Sequence, residues 1–292
     1  MKRVLITGIT GYVGSNLARA LLPNCEVHGL VREPLHTAYI ADITDRLRLH
    51  PYDGSYESVE NALRQAMPDV VYHLATHYTG GHSADVVPKL LAANVTFGGY
   101  LLEALCACRC RSLVYATTVM ACFRGETYRP LNLYAATKQA LSDLIAYYTD
   151  ADLLHSVTLV LSDTYGPNDR RPKILNLIKN AIRTGEHIAL SDGGQDYDVV
   201  YIDDVVRAFR MAGERVQTSA TQNETFQICA EKPLCLRDTV DKMLLLNGAT
   251  MDAGWGERPA AAREIREAIR LWPTLPGWRQ EVSLDEGLRR IL

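Results

Sequence analysis

Short apolar runs rich in β-branched residues recur along the first half of the chain and are separated by amphipathic segments. Runs of this length predict buried strands, whereas apolar residues at helical spacing predict helices. The predicted strands span residues 3–7, 25–32, 46–53, 69–76, 112–118 and 157–163. Helices are predicted between them, including 86–108 and 134–149. Strands that alternate with helices predict an α/β fold with a doubly wound parallel sheet covered on both faces.

In the last third of the chain, helical periodicity dominates the pattern. Helices are predicted at residues 172–185, 202–213, 236–246 and 260–270. We therefore expect a sheet domain over residues 1–165 and a smaller carboxyl-terminal substrate lobe over residues 166–292, with 200–230 returning to the sheet. Ligands of such sheets bind at the carboxyl ends of the strands, so we expect the lobe to close over a ligand there.

Composition and charge exclude several classes of protein. The 292 residues carry a net charge of -3, and no block of basic residues indicates nucleic-acid binding. We find no signal-peptide pattern and no uninterrupted apolar stretch near the length of a membrane span, so we expect a soluble, cytoplasmic protein. The seven cysteines include Cys106, Cys108 and Cys110, which lack the paired spacing of a zinc site. Reduced thiols and no metal are predicted.

A glycine-rich turn follows the first predicted strand. Gly8, Gly11 and Gly14 are spaced three residues apart between the strand "RVLIT" and the helical pattern "NLARALL". The first glycine permits a tight turn, the second lets a pyrophosphate approach the backbone, and the third lets the helix pack closely on the strand. The amino terminus of the helix then faces the phosphates. The turn therefore predicts a Rossmann-like dinucleotide site.

The end of the second strand indicates which dinucleotide binds. A carboxylate there accepts a hydrogen bond from the ribose of NAD, whereas an arginine suits the 2′-phosphate of NADP. Val31 and Arg32 occupy this end, which favours NADP(H) over NAD(H), unless Arg32 is only a solvated surface residue. We expect Asp53 to accept from the adenine amine, with Asp42 less favoured. The predicted cofactor-binding residues are Gly8, Thr10, Gly11, Tyr12, Val13, Gly14, Arg32, Asp53, Gly54, Leu74, Ala75, Thr76, Asn94 and Thr117.

The segment "NLYAATKQALSDLIAYY" (132–148) is a predicted helix with a tyrosine and a lysine four residues apart near its start. Residues at this spacing lie on one helix face with Cβ atoms about 5–6 Å apart. An ammonium beside a phenol favours the phenolate and lowers the pKa of the tyrosine. Tyr134 and Lys138 are therefore a candidate acid/base pair, although the same spacing also occurs by chance in helices without function.

The order of these motifs resembles that of the extended short-chain dehydrogenase/reductases that act on nucleotide sugars. The resemblance covers essentially the whole chain and rests on the glycine turn, "HLAT", "VYATT", the Tyr134 and Lys138 pair, "YGPND" and "VYIDDVVRAF". It implies that Thr118, or the adjacent Thr117, hydrogen-bonds the reacting oxygen. It also implies that Tyr134 is the acid/base and that Lys138 holds the nicotinamide ribose. Members often form homodimers through two helices, which here would be 86–108 and 134–149.

The residues after Thr118 distinguish between the activities of this family. The 4,6-dehydratases place an Asp-Glu pair there, whereas this chain has Val119 and Met120. The 4-epimerases tend to carry a carboxylate where Arg32 stands. The predicted activity is therefore NADPH-dependent reduction of the C4 ketone of an NDP-4-keto-6-deoxyhexose. A 4-epimerase with tightly bound NAD is the first alternative, and a non-catalytic dinucleotide sensor is the second.

Three longer phrases resemble the nucleotide-sugar reductases of O-antigen clusters, especially those that form CDP-abequose or CDP-paratose, so we expect a CDP-linked substrate. The phrases are "LYAATKQALSDLIAYY", "LSDTYGPNDRRPKILNLI" and "LPGWRQEVSLDEGLRRIL". The predicted substrate-binding residues are Asp163, Arg170, Arg171, Lys173, Tyr197 and Trp255. Two of them depart from the family pattern, because many members have asparagine at the position of Asp163 and arginine at that of Tyr197.

Several of these assignments have ordinary structural alternatives. The cations at 170, 171 and 173 suit a diphosphate but are equally compatible with a solvated loop. Trp255 either stacks on the base or packs inside the lobe. Asn94 either kinks its helix close to the active site or faces solvent from a regular helix.

Overall fold

A computed structural model describes residues 1–81, 83–218 and 222–292 of the chain. The strands are β1 (Arg3–Thr7), β2 (Glu26–Arg32), β3 (Arg48–Tyr52), β4 (Val70–His73), β5 (Ser112–Thr118), β6 (His155–Leu161), β7 (Asp163–Tyr165), β8 (Ile188–Leu190), β9 (Asp196–Tyr197), β10 (Val199–Tyr201), β11 (Asn223–Ile228), β12 (Leu234–Cys235) and β13 (Ala253–Trp255). Seven of them form one parallel sheet in the order β11-β6-β5-β4-β1-β2-β3. The predicted doubly wound α/β fold is confirmed.

Helices cover both faces of this sheet. They are α1 (Tyr12–Leu21), α2 (Tyr56–Ala66), α3 (Val87–Leu91), α4 (Phe97–Ala107), α5 (Leu133–Asp150), α6 (Ile174–Thr184), α7 (Ile202–Arg215), α8 (Leu236–Asn247) and α9 (Leu284–Arg289). Side chains alternate between the faces, so Val4 and Ile6 of β1 join the core beneath α1 and α7. Leu5 joins the core beneath α2, α4 and α5. This alternation follows from the two-residue repeat of a strand.

The predicted helix at 86–108 is observed with an interruption. A π-helical segment, Ala92–Thr96, separates α3 from α4. By length and composition alone, the segment Val87–Ala107 is apolar enough to cross a membrane, although Lys89 and Glu103 interrupt its apolar residues. In this fold α4 packs against α2 and α5, and core helices of soluble proteins share that composition.

The predicted helix at 260–270 is wrong, because these residues form an irregular segment. Its backbone groups bond to residues of β9 and β11 instead of to one another. The Asp196 N–H donates to the Arg266 carbonyl at 3.0 Å, and the Ala268 N–H donates to the Asp196 carboxylate at 2.9 Å. Gln227 donates from Nε2 to the Ile269 carbonyl at 2.5 Å. Tertiary hydrogen bonds thus override the helical propensity of the sequence "AAAREIREAIR".

The chain returns from the lobe to the sheet through α7 and β11. Helix α7 packs against α1, and β11 pairs in parallel with β6 at one edge of the sheet. The short pairs β7 with β10, β8 with β13 and β9 with β12 lie outside the main sheet. The division of the chain between residues 165 and 166 stays a prediction.

Candidate functional site

The carboxyl ends of the central strands open into a cavity of about 1030 Å³. Ligand sites commonly measure about 300–1,000 Å³, so this cavity is large enough for a dinucleotide and part of a second ligand. The sequence-predicted residues that line it are Gly8, Thr10, Gly11, Tyr12, Val13, Gly14, Arg32, Gly54, Leu74, Ala75, Thr76, Thr117, Thr118, Tyr134, Lys138, Asp163, Arg171 and Lys173. The predicted residues outside the lining are Asp53, Asn94, Arg170, Tyr197 and Trp255.

The glycine turn has the geometry that a pyrophosphate needs. Gly8 has a φ of +73°, in the left-handed region that favours glycine. A Cβ on Gly14 would lie 2.2 Å from the Gly8 carbonyl oxygen, so only glycine lets α1 approach β1 this closely. No side chain caps α1 at Gly11, and its first N–H groups therefore face the cavity as anion donors. These residues fit a dinucleotide.

The far end of the cavity is lined by Arg32 and Gly54, which come from the ends of β2 and β3. Arg32 is exposed there, as a residue that binds a phosphate must be before the ligand arrives. Asp53 lies outside the lining, and its carboxylate accepts from the Ser55 N–H at 2.9 Å and the Ser55 hydroxyl at 2.6 Å. These bonds lower the pKa of Asp53. Its contact with adenine stays a prediction.

The catalytic candidates meet on the opposite side of the cavity. Helix α5 begins where the Asn132 side chain accepts from the Ala135 N–H at 2.9 Å, and its first two turns carry Tyr134 and Lys138. Thr118 ends β5, and its hydroxyl accepts from the Met120 N–H at 3.2 Å. That bond leaves the hydroxyl proton of Thr118 free to donate to a ligand.

Burial sets the electrostatics of the acid/base pair. It raises the pKa of Tyr134 to about 12, against a smaller lowering by a hydrogen bond with Thr76. It lowers the pKa of Lys138 to about 7, because the ammonium is buried. The expectation that Lys138 lowers the pKa of Tyr134 is therefore wrong for the ligand-free protein, in which desolvation dominates. At neutral pH Tyr134 keeps its proton and is able to donate it.

Asn94 is buried in the π-helical segment and lies outside the cavity lining because protein groups occupy its amide. Its Oδ1 accepts from the His77 N–H at 2.8 Å and from the Thr76 hydroxyl at 3.0 Å. Its Nδ2 donates to the His77 carbonyl at 3.0 Å and to the Thr137 hydroxyl at 2.9 Å. Asn94 therefore joins the end of β4 to α5, and the alternative of a solvent-facing asparagine is wrong.

Two ion pairs occupy the substrate end of the cavity. Lys173 Nζ lies 2.6 Å from Asp163 Oδ1. The Arg171 guanidinium forms a bidentate pair with the buried Asp169, with contacts of 2.8 and 2.7 Å, and lies 4.6 Å from the centre of the Tyr12 ring. Both cations therefore already have carboxylate partners when no ligand is bound.

Three predicted substrate residues, Arg170, Tyr197 and Trp255, lie outside the cavity lining. The Tyr197 hydroxyl donates to Asp163 Oδ2 at 3.4 Å, so Tyr197 supports Asp163 from outside the lining. Arg170 donates from its backbone N–H to the Tyr39 hydroxyl at 2.8 Å. Trp255 packs on Gly193, where a Cβ would lie 2.5 Å from the indole ring, and its stacking on a base stays a prediction.

The sequence analysis missed several lining residues, among them His36, Tyr39, Tyr52, Tyr78 and Lys89. Tyr78 follows the end of β4, which is where ligands of parallel sheets bind, so its position was the available signal. Tyr52 is the last residue of β3 and has the same signal. His36 and Tyr39 lie in a loop and Lys89 lies on α3, and the spacing of the motifs does not indicate them. Within the parts of the chain that the structure describes, no group of three His, Cys, Asp or Glu side chains is arranged to hold a metal.

A pyrophosphate-binding glycine turn and a buried Tyr–Lys pair in one cavity define an NAD(P)-dependent oxidoreductase. The family model described as "NAD dependent epimerase/dehydratase family" matches residues 4–229. The chain belongs to this family, and it is a nucleotide-sugar enzyme of the epimerase/dehydratase type.

Known proteins resemble the chain over most or all of its length. A CDP-abequose synthase of Yersinia pseudotuberculosis is 27% identical over 209 residues, which cover 70% of this chain and 71% of that protein. A probable UDP-glucuronate 4-epimerase of Rhizobium meliloti is 25% identical over 335 residues, which cover 99% of this chain and 96% of that protein. Among solved structures, the UDP-glucose 4-epimerase of Thermus thermophilus in complex with NAD has a TM-score of 0.84 at 23% identity. The match covers 99% of this chain and 97% of that structure. That structure shares the fold.

Proposed function

We propose that the protein reduces the C4 ketone of an NDP-4-keto-6-deoxyhexose, CDP-linked, with NADPH as the hydride source. The observation that carries the proposal is that Arg32 lines the same cavity as Tyr134. An arginine at the end of β2 suits the 2′-phosphate of NADPH, the reductant of the proposed reaction. The similarity to a CDP-abequose synthase supports the CDP-linked substrate.

The residues of the cavity are suited to protonating the alkoxide that forms when a hydride adds to a ketone. When bound, NADPH supplies the hydride that C4 of the sugar receives. Tyr134 donates its proton to the alkoxide that forms at O4, and burial keeps that proton in place until then. Thr118 donates a hydrogen bond from its hydroxyl to the same oxygen. Lys138 is placed to hold the nicotinamide ribose, and the glycine turn and Arg32 to hold the phosphates.

Two features of the sequence separate reduction from dehydration. The residues after Thr118 are Val119 and Met120, and both line the cavity. Neither side chain is able to transfer a proton, whereas elimination of water needs an acid and a base beside the sugar. A non-catalytic sensor is also disfavoured, because Thr118, Tyr134 and Lys138 all line one cavity.

The test is NADPH consumption with CDP-4-keto-6-deoxyglucose, which a 4,6-dehydratase generates in place from CDP-glucose. Oxidation of NADPH coupled to a 6-deoxy sugar product with a C4 hydroxyl in the NMR spectrum supports the proposal. Parallel reactions with NADH and with the UDP- and dTDP-linked ketones determine the cofactor and the nucleotide. NADPH that stays reduced with all of these ketones contradicts the proposal.

A 4-epimerase with tightly bound NAD is the second candidate. It is favoured by the probable UDP-glucuronate 4-epimerase of Rhizobium meliloti, which matches 99% of this chain. Such an enzyme retains its dinucleotide through purification and interconverts C4 epimers without added cofactor. Protein that releases NAD on acid denaturation and turns over UDP-glucuronate or UDP-glucose alone would establish this candidate in place of the reductase.

A homodimer is part of the proposal. Leu91 on α3 and Leu144 and Tyr147 on α5 are exposed by 45%, 36% and 65%. Exposed apolar side chains on neighbouring helices are typical of a surface that another subunit covers. Light scattering is expected to give twice the mass of one chain, and a monomer at micromolar concentration contradicts the dimer.

A further inference from the structure

Tyr78 is a cavity residue for which the motifs indicate no role. It lies in the segment after β4, and 49% of it is exposed. Its ring and the Tyr134 ring meet nearly perpendicular, with centroids 5.0 Å apart and planes at 81°. A large aromatic surface therefore lies next to the proposed proton donor.

Two contacts hold Tyr78 in this position. Asn94 binds both the N–H and the C=O of the preceding residue, His77, at 2.8 and 3.0 Å. Lys173 Nζ lies 5.3 Å from the centre of the Tyr78 ring, within the range of a cation–π attraction. Lys173 is in turn paired with Asp163 at 2.6 Å. The His77 backbone, which Asn94 holds, and the Lys173 ammonium together restrain the Tyr78 ring.

Reduction at C4 gives a single product only if the sugar presents one face of its carbonyl. C4 gains a hydride from the dihydronicotinamide, O4 gains the Tyr134 proton, the C=O π bond breaks, and the nicotinamide is oxidised. A sugar bound in the inverted orientation undergoes the same bond changes and gives the opposite configuration. The shape of the wall beside Tyr134 therefore decides the product.

We propose that Tyr78 determines the configuration at C4 by admitting the hexose in one orientation only, a role that rests on the proposed reduction. A pyranose has C–H patches that pack on aromatic rings and hydroxyl groups that need hydrogen-bond partners. Tyr78 offers the aromatic surface, and the adjoining Asp163 and Lys173 offer the partners. In the inverted orientation, hydroxyl groups face the Tyr78 ring and lose those partners, which is costly for a buried polar group.

The experiment compares Tyr78→Ala and Tyr78→Phe with wild type in the NADPH reaction. Tyr128→Ala is the matched control, because Tyr128 is 52% exposed and lies outside the cavity lining. The readouts are the ratio of C4 epimers by NMR and the KM values for the keto sugar and for NADPH. Circular dichroism checks folding, and Tyr78→Leu replaces Tyr78→Ala if the alanine variant does not fold.

Wild type, Tyr78→Phe and Tyr128→Ala are expected to form one epimer. Tyr78→Ala is expected to form both, with a KM for the keto sugar about tenfold higher, as the loss of an aromatic contact predicts. Its KM for NADPH is expected to change by less than about twofold, since the removed ring contacts the sugar. A single epimer and an unchanged sugar KM for Tyr78→Ala overturn the role of Tyr78 alone. Wild type that consumes no NADPH overturns the proposed reduction together with this role. Wild type that consumes NADPH but forms both epimers overturns the role of Tyr78 and leaves the proposed reduction standing.

Discussion

The ammonium of Lys138 lies 4.2 Å from the centre of the Tyr115 ring, and the Tyr115 hydroxyl donates to the Lys138 carbonyl at 3.0 Å. Tyr115 of β5 thus contacts both the ammonium and the backbone carbonyl of Lys138. His73 lies beside Tyr115 with ring centroids 5.6 Å apart, and burial and the charge of Lys138 lower the pKa of His73 to about 3. The lysine is therefore surrounded by groups that are neutral at physiological pH, and its own charge is the one that titrates.

This arrangement predicts how stability depends on pH in the ligand-free protein. Burial lowers the pKa of Lys138 from 10.5 to about 7. Between these values the unfolded chain binds a proton that the folded chain does not, so stability rises with pH. Lys138→Met is expected to stabilise the protein most at about pH 6, with a smaller gain at about pH 9.

Urea unfolding of the ligand-free protein at both pH values measures this effect. Lys232→Met is the control, because Lys232 is exposed and its replacement is expected to give no pH-dependent difference. Equal stabilisation by Lys138→Met at both pH values would show that Lys138 is not buried as an ammonium.

Replacement of the proposed acid tests the chemistry directly. Tyr134→Phe is expected to lower kcat by about 10²- to 10⁴-fold, because no other group donates the proton. The dissociation constant for NADPH, measured by fluorescence titration, is expected to stay within about twofold, since the phenol acts on the sugar oxygen. Tyr128→Phe is the control for a tyrosine outside the cavity. Full turnover by Tyr134→Phe contradicts its role.

Arg32 is expected to select the dinucleotide. Arg32→Ala removes a charged partner of the 2′-phosphate and should weaken NADPH binding about 10- to 100-fold. NADH has no such phosphate, so its affinity should change little. Calorimetric titration with both dinucleotides measures the difference, with Arg46→Ala as a control for an exposed cation outside the cavity. Equal losses for NADPH and NADH would refute the assignment.

The close approach of α1 to β1 predicts the effect of one added methyl group. The Cβ of Gly14→Ala would lie 2.2 Å from a backbone oxygen, which is unable to move aside cheaply. We expect a lower melting temperature and loss of dinucleotide binding. At Gly99 a Cβ meets nothing within 4 Å, so Gly99→Ala in α4 is expected to stabilise the protein by about 0.5–1 kcal/mol. Thermal unfolding of both variants, with and without NADPH, makes the comparison.

The sequence predicts the parts of the site that depend on local chemistry. The glycine spacing requires a close approach of helix and strand, and the four-residue spacing of Tyr134 and Lys138 places them on one helix face. Both are consequences of backbone geometry, and the structure contains both. The end of β5 follows from a short apolar run, so Thr118 lies where the pattern places it. Strand β4 ends at His73, three residues before the predicted strand end at Thr76, although Thr76 still lines the cavity.

The parts that the sequence does not predict depend on tertiary contacts. The segment 260–270 has the composition of a helix, yet its carbonyl and N–H groups bond to Asp196 and Gln227, which are distant in the chain. The pKa of Tyr134 depends on how deeply the cavity buries it, and this depth is not a property of the helix. Tyr78 is indicated only by its place after a strand, because its partners come from α5 and from the residue before α6.

The π-helical segment at Ala92–Thr96 affects more than the position of Asn94. Each residue of an α-helix turns the chain by about 100°, so the wider turn rotates everything that follows it about the helix axis. If the same residues formed a regular α-helix instead, α4 would be rotated by about 100° and its apolar face, including Leu101 and Leu105, would turn away from α2. The packing of α4, which lies largely outside the cavity, therefore depends on the same π-helical turn that carries Asn94 to the end of β4.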